Sequence, residues 1–313
     1  MGSHPPEIWI GFTALVVGLL ALDLGVLNRH SHVLSVRESA RWSGALVSLA
    51  LLFGGFLWWR EGAQHALEYY TGYLVELSLS VDNLFVFIMI FQYFGVPPAY
   101  QARVLKWGVI GAIVMRAIMI GVGALLLERF DWIVFVFGAI LILTGIKMFR
   151  AGDEQIHPEK NLLVRLAVRV MPFTRSFHEE KFVVRLDGRW MATPLLLVLI
   201  VVEWSDLVFA VDSIPAIFAI TRDPFIVYSS NIFAVLGLRA LYFLLAGAMQ
   251  SFRYLKPGVA LILLYVGVKM MLTEWFHLPT LLSLGVIIGT LTIAVIASLR
   301  RPMTAPESGP GGA

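Results

Sequence analysis

Two carboxylates, Glu76 and Asp82, lie six residues apart in the apolar stretch VELSLSVDNLFVF. A later apolar stretch, VVEWSDLVFAVDSIPA, carries three more: Glu203, Asp206 and Asp212. A charged side chain at the centre of a bilayer costs roughly 2.5–3.5 kcal/mol on insertion scales. Neutral polar side chains accompany the acids, namely Asn83, Ser80 and Ser213. Acids placed this way predict a functional site for a cation or a proton.

Two arginines, Arg116 and Arg239, also lie within apolar segments. A buried guanidinium needs a carboxylate partner, so part of this pattern is a structural ion-pair network that holds the acids and compensates their charge. Five carboxylates nevertheless exceed two guanidiniums by three. The surplus must be protonated, bind a metal cation, or alternate between those two states.

Ligand chemistry narrows the choice of cation. The chain has no cysteine, and its seven histidines lie in loops or at the ends of apolar segments. The apolar segments therefore lack the thiolate and imidazole ligands that zinc and copper prefer. Their carboxylates, hydroxyls and carbonyls suit Mg²⁺, Ca²⁺ or Mn²⁺. No motif for a prosthetic group or for an intramembrane hydrolase is present, so we do not expect an enzyme.

The spacing of the acids constrains their geometry. Six residues of a regular helix turn by about 240°, so Glu76 and Asp82 cannot face the same way on an unbroken helix. One compact site therefore requires broken helices, with a bend at Asp82–Asn83 and another at Pro215. The alternative is two sites in series.

The composition, 58% hydrophobic and 14% charged, is that of a polytopic membrane protein rather than a soluble domain. The predicted fold is all-α, with about nine transmembrane helices. Their predicted ranges are 7–27, 42–59, 66–94, 105–127, 131–149, 191–220, 225–250, 257–273 and 279–299.

The distribution of basic residues predicts an N-terminus outside and a cytoplasmic C-terminus. With that orientation seventeen Lys and Arg residues lie in cytoplasmic segments and only three in external loops. The first four residues, Met1 to His4, resemble an expression remnant, so no function is assigned to them.

An internal repeat relates two parts of the chain. Repeat one (66–149) and repeat two (191–273) align so that Glu76 matches Asp206, and Gly145–Lys147 matches Gly267–Lys269. Each repeat holds three predicted spans, an odd number, so the copies must be inverted, with a site between them at the midplane. The matched lysines, Lys147 and Lys269, either gate this site or extend to the interface.

The remaining segments frame the repeats. Residues 7–59 form two peripheral spans, and 279–299 form the ninth. The cytoplasmic loop 150–190 contains NLLVRLAVRVMPF, whose pattern favours an amphipathic helix on the lipid surface. The Pro/Gly-rich tail 300–313 is expected to be disordered.

Four stretches resemble the TerC/Alx family of bacterial membrane proteins, within the LysE transporter superfamily. They are ALDLGV with HVLSVRES, ELSLSVDNLFVF, VVEWSDLVFAVDSIPA and RALYFLLAG, in family order. The resemblance implies a location in the bacterial inner membrane and export of manganese as the transported ion. The implied metal ligands are Glu76, Asp82, Glu203, Asp206 and Asp212. The family is also linked to tellurite resistance and to metal supply for exported proteins.

The resulting hypothesis is an alternating-access exporter of Mn²⁺ driven by proton influx, with metal, protons and lipid as its partners and no role for nucleic acid. A Ca²⁺/cation:proton exchanger of broader specificity is one alternative. A membrane scaffold that supplies metal to secretion partners is another.

Overall fold

The computed structural model describes residues 4–22, 36–130, 132–150, 172–174, 176–186, 188–246, 254–272 and 279–300. Helices dominate this part of the chain: α1 (Pro6–Ala21), α2 (Val36–Glu61), α3 (Ala63–Tyr93), α4 (Pro98–Arg129), α5 (Ile133–Arg150), α6 (Pro194–Phe218), α7 (Pro224–Leu236), α8 (Leu238–Ala246), α9 (Leu255–Met271) and α10 (Thr280–Arg300). Proline favours a first helical turn, where its missing N–H is not needed. Four helices begin with one: Pro6, Pro98, Pro194 and Pro224.

The helices confirm an all-α polytopic membrane protein. Six of those described, α2 to α6 and α10, are long and apolar enough to cross a bilayer. The pair α7–α8, bent by 42°, makes a seventh if it is counted as one span, and α1 and α9 are shorter apolar helices. The count of nine spans stays a prediction. Large apolar side chains face outward, including Leu52, Trp59 and Ile293, as expected where a helix meets lipid.

The described helices lack the breaks that one compact site would require at the acidic motifs. Helix α3 runs unbroken through Asp82, and α6 continues through Pro215 to Phe218. The stretch of α3 around Asp82 contains neither glycine nor proline, so nothing interrupts its hydrogen bonds. Pro215 lies in the last turn of α6, so any bend that it causes displaces only the last four residues of the helix. The observed bend lies instead at Gly237, between α7 and α8.

Helix α3 lies at the centre of the bundle. It packs against α2, α6, α7 and α10, and α4 packs against α6 and α7. Glu76 of α3 and Asp206 of α6 therefore lie together inside the protein, shielded from lipid by the surrounding helices.

Helices α5 and α9 pack most closely, through glycines. A Cβ added at Gly138 would lie 3.1 Å from the carbonyl oxygen of Gly267, and one at Gly145 would lie 3.0 Å from that of Ala260. Residue numbers thus rise along α5 as they fall along α9, so the two helices are antiparallel. In the sequence repeat Gly138 corresponds to Ala260 and Gly145 to Gly267, so the two contacts are equivalent. Such reciprocal contacts are what an inverted repeat would make about a pseudo-two-fold axis.

A β-hairpin, absent from the sequence prediction, precedes α6. Strands β1 (Val183–Leu186) and β2 (Arg189–Ala192) pair antiparallel, and Gly188 in the turn has φ +79°. Positive φ values favour glycine. Residues 151–171, with most of the predicted amphipathic helix, and the tail 301–313 lie outside the described residues.

Candidate functional site

Arg116 joins four helices through its guanidinium group. Its Nε and Nη2 donate to the two carboxylate oxygens of Asp206 on α6, at 3.1 and 3.0 Å. Its Nη1 donates to Oε1 of Glu76 on α3 and, at 3.2 Å, to Oδ1 of Asn231 on α7. The planar fork of arginine suits this bidentate arrangement, so Arg116 fixes the position of both acids. These four residues are called the Arg116 cluster below.

The Arg116 cluster is buried almost completely. Glu76, Arg116 and Asn231 have no exposed surface, and Asp206 is 2% exposed. Two ionised carboxylates and one guanidinium leave one negative charge in excess. Among the described residues, Oε2 of Glu76 and Nδ2 of Asn231 have no hydrogen-bond partner. An unpaired negative charge is costly in such buried surroundings, which makes the cluster a candidate site for a proton or a cation.

Glu203 lies one helical turn before Asp206, close enough for the two charges to interact. Its carboxylate lies against Gly111 of α4, in space that a Cβ at that position would fill. Both acids line a cavity of about 10 Å³, whose other walls include Phe87, Leu105, Val109 and Leu238. That volume accommodates roughly one water-sized particle. Oε2 of Glu203 is buried and has no partner among the described residues, so it is free to bind such a particle.

Asp212 lies apart from the Arg116 cluster, on another side of α6. Its Oδ1 accepts a hydrogen bond of 2.8 Å from Oγ1 of Thr144 on α5, and the charge of Lys147 acts on it. On the continuous helix α6, Asp206 and Asp212 differ in direction by about 240°. The described residues therefore favour acids in two places over one compact site.

Four other predicted site residues also lie in the interior. Arg239, at the start of α8, is 4% exposed. The neutral polar residues are buried, and Nδ2 of Asn83 and the hydroxyls of Ser80 and Ser213 have no hydrogen-bond partner in the described part of the chain. The side chain of Asp82 lies outside the described residues, although its backbone belongs to α3.

The two candidate gating lysines differ in their surroundings. Lys147 is exposed near the end of α5. Lys269 is 9% exposed, and its Nζ donates to Oγ of Ser283 on α10 at 2.9 Å. Lys269 thus contacts a neighbouring helix, whereas the charge of Lys147 acts on the candidate acid Asp212. A gating role for either stays a prediction.

No group of three or more His, Asp or Glu side chains among the described residues is placed to hold a metal ion. The Arg116 cluster instead occupies its carboxylates with a guanidinium. Binding of a metal between Glu76, Glu203 and Asp206 would require these side chains to rearrange.

Two contributors to the site were missed by sequence reasoning. Asn231 follows two serines inside an apolar segment, and that polar run was a usable signal. Thr144 gave no signal, because a single threonine in an apolar helix is ordinary and only packing brings it to Asp212.

A bundle of apolar helices around a buried arginine–carboxylate cluster defines a polytopic membrane protein with an intramembrane polar site. Residues 61–304 match the model of the Integral membrane protein TerC family. The chain belongs to the TerC family.

Several curated proteins are similar over nearly the whole chain. An uncharacterized membrane protein of Myxococcus xanthus is 50% identical over 97% of this chain and 95% of its own length. Proteins named as a candidate membrane-bound redox modulator, Alx, are 49% identical in Salmonella typhi and 48% identical in Escherichia coli K12. Both alignments cover 93% of this chain, and they cover 93% and 94% of the respective relatives. No solved structure matches the chain.

Proposed function

We propose that this chain is a membrane transporter that exports Mn²⁺ from the cytoplasm by alternating access, coupled to proton influx. The observation that carries the proposal is the excess of negative charge inside the bundle. Glu76 and Asp206 share one guanidinium, and Glu203 lies beside them with a buried, unpartnered oxygen. A purely structural network has no need of this surplus.

Exchange of a metal for protons follows from the chemistry of carboxylates. A carboxylate must lose its proton before it binds a metal, so metal binding releases protons and protonation releases metal. Moving a divalent cation outward against an interior-negative membrane potential of 100 mV costs about 4.6 kcal/mol, at about 2.3 kcal/mol per charge. Two protons moving inward for each ion would cancel that electrical cost. Oxygen ligands suit Mn²⁺, and its choice over Mg²⁺ and Ca²⁺ rests on the TerC/Alx resemblance.

The name of the Alx relatives suggests a redox role for those proteins. This chain contains no cysteine, so its own side chains cannot exchange thiols for disulfides. We therefore infer that any influence of the chain on redox balance is indirect, through the metal it moves.

The test is Mn²⁺ uptake into proteoliposomes containing the purified chain, with a pH gradient. We expect Glu203→Gln and Asp206→Asn to reduce the initial rate at least tenfold, while the exposed control Glu179→Gln keeps the wild-type rate. Uptake that is undiminished in both site variants would remove the proposed site. Equal rates for Ca²⁺ and Mg²⁺ would favour the broader cation exchanger, and no flux of any ion would favour the metal-supplying scaffold.

A matched pair of glycines tests the position of Glu203 without changing any charge. A Cβ at Gly111 would collide with the Glu203 carboxylate, whereas one at Gly108 would meet Val202 at an ordinary 3.5 Å. We expect Gly111→Ala to displace that flexible carboxylate and lower Mn²⁺ uptake, and Gly108→Ala to leave uptake unchanged. Equal uptake by both variants would contradict a role for the observed position of Glu203.

A further inference from the structure

The tip of the β1–β2 hairpin exposes two apolar and two basic side chains. Trp190 is 62% exposed and Leu186 is 36% exposed, and Arg185 and Arg189 are exposed as well. In the register of the hairpin Arg185 lies opposite Trp190, and Leu186 lies opposite Arg189. Directly opposed residues point to the same face of a sheet, so each face of the tip presents one arginine beside one apolar side chain.

The base of the hairpin is fixed to the helical bundle. The backbone N–H of Thr193 donates to the backbone oxygen of Phe182 at 2.9 Å, and its hydroxyl donates to that of Lys181 at 2.7 Å. Ala192, at the end of β2, is fully buried. The guanidinium of Arg103 on α4 lies over the ring of Phe182, 5.3 Å from its centroid. The exposed surface of the hairpin is therefore concentrated at its tip.

The hairpin lies next to the apolar part of α6. Strand β2 ends at Ala192, and α6 begins two residues later and continues with the apolar run LLLVLIVV (195–202). The hydrocarbon core of the bilayer therefore begins within the first turns of α6. A strand rises about 3.4 Å per residue, so Arg189 lies within about 10 Å of Ala192. The headgroup layer is about 5–8 Å thick on each side, so the long side chains of the tip can reach it.

The charges at the tip favour an anionic partner. Arg185 and Arg189 flank the turn, and the side chain of Asp187 between them lies outside the described residues. The tip thus carries two positive charges against one negative charge. Lys181 lies 3.5 Å from Glu179, so these two charges offset each other. Basic residues beside a membrane attract anionic lipids, and tryptophan is enriched at the membrane interface, so an anionic lipid surface suits both kinds of side chain at the tip.

We propose that the β1–β2 hairpin binds anionic lipids of the membrane in which the protein lies. Trp190 and Leu186 insert among the headgroups, while Arg185 and Arg189 bind lipid phosphates. The distribution of basic residues places this end of the bundle on the cytoplasmic side, so the lipids belong to the cytoplasmic leaflet. The fixed base holds the tip in place before binding, which lowers the entropy cost. This proposal goes beyond transport and does not depend on which ion the protein moves.

The first test measures the surroundings of Trp190 in lipid nanodiscs, which leave both faces of the bilayer open to solutes. The full-length chain has nine tryptophans, so the emission of Trp190 is obtained as the difference between wild type and Trp190→Phe. We expect phosphatidylglycerol with brominated acyl chains to quench this emission, and we expect the emission to be protected from aqueous iodide. Quenching by iodide without quenching by the brominated lipid would overturn the proposal, because the tip would then face water or a soluble partner.

The second test combines Arg185→Gln with Arg189→Gln and measures lipid preference. Nanodiscs of phosphatidylcholine contain the same small fraction of brominated lipid, either phosphatidylglycerol or phosphatidylcholine. Each basic residue near an anionic surface strengthens association about fivefold. With Asp187 opposing the two arginines, we expect brominated phosphatidylglycerol to be enriched around Trp190 about fivefold or more in wild type. In the double variant the enrichment should fall towards one.

The matched control combines Arg60→Gln with Arg129→Gln. These two arginines are exposed at the ends of α2 and α4, and the hairpin packs near the start of α4, so the control removes the same charge at the opposite end of the bundle. It should keep the wild-type enrichment, and the Trp190→Phe difference is measured in every background. Equal quenching of wild type by the two brominated lipids would overturn the proposal, as would the same loss of enrichment in the control and in the tip variant.

Discussion

Replacement of Arg116 by glutamine tests whether the Arg116 cluster holds the four helices together. The variant loses the bidentate contact with Asp206 and the contact with Glu76, and it leaves two buried carboxylates without a counter-charge. Removing one partner of a buried ion pair costs about 3–5 kcal/mol. For a chain longer than about 250 residues, each kcal/mol lowers Tm by about 2 °C, so we expect a decrease of about 6–10 °C.

Thermal unfolding in detergent, followed by the fluorescence of the nine tryptophans, measures this change. Arg129→Gln is the matched control, because it removes the same charge from an exposed position at the end of the same helix. A third variant replaces Arg116, Glu76 and Asp206 together by neutral amides. It should recover most of the lost stability, since no buried charge then remains unpaired.

Two results would refute this reasoning. If Arg116→Gln lowers Tm by less than 2 °C, the cluster contributes little to stability, because its charges are neutralised in another way. An equal decrease in Arg116→Gln and in the triple variant would assign the loss to the volume of the arginine rather than to its charge.

Three further predictions concern the surrounding helices. Thr144→Val removes the hydroxyl that donates to Asp212 and should reduce Mn²⁺ uptake at unchanged Tm, as measured in proteoliposomes and by fluorescence. Gly145→Leu places a side chain against the backbone of α9 and should lower Tm by several degrees, whereas unchanged stability would contradict the close packing of the two helices. Gly237→Ala should change the free energy of unfolding by no more than about 0.5–1 kcal/mol, because the added Cβ would lie 3.4 Å from the carbonyl oxygen of Ala234, an ordinary contact distance.

Much of the helical architecture was predictable because its cause is local in sequence. Apolar runs long enough for a bilayer must form helices, since lipid offers no partners for backbone polar groups. The pairing of Arg116 with candidate acids was also predictable, because an intramembrane guanidinium needs a carboxylate. The separation of Asp206 from Asp212 follows from helical geometry once α6 is known to be continuous.

Other features depend on contacts that no local pattern encodes. The tilt and depth of α7 decide that Asn231 reaches Arg116, and the packing of α5 decides that Thr144 reaches Asp212. Pro215 gave a misleading signal, because only four residues of α6 lie from the proline onward and α6 continues through it. Folding also brings His4 next to Glu61 and Asp223, which lie more than fifty and more than two hundred positions away in the sequence.

The order in which the Arg116 cluster can assemble has a consequence for membrane insertion. Arg116 follows Glu76 by 40 residues, so the hairpin of α3 and α4 can neutralise Glu76 as soon as α4 has been synthesised. Asp206 emerges 90 residues after Arg116, when that charge is already engaged. The hairpin of α3 and α4 can therefore pair Glu76 with Arg116 before α6 has been made. The second carboxylate of the Arg116 cluster, Asp206, joins only when α6 docks, so the complete cluster forms late in biogenesis.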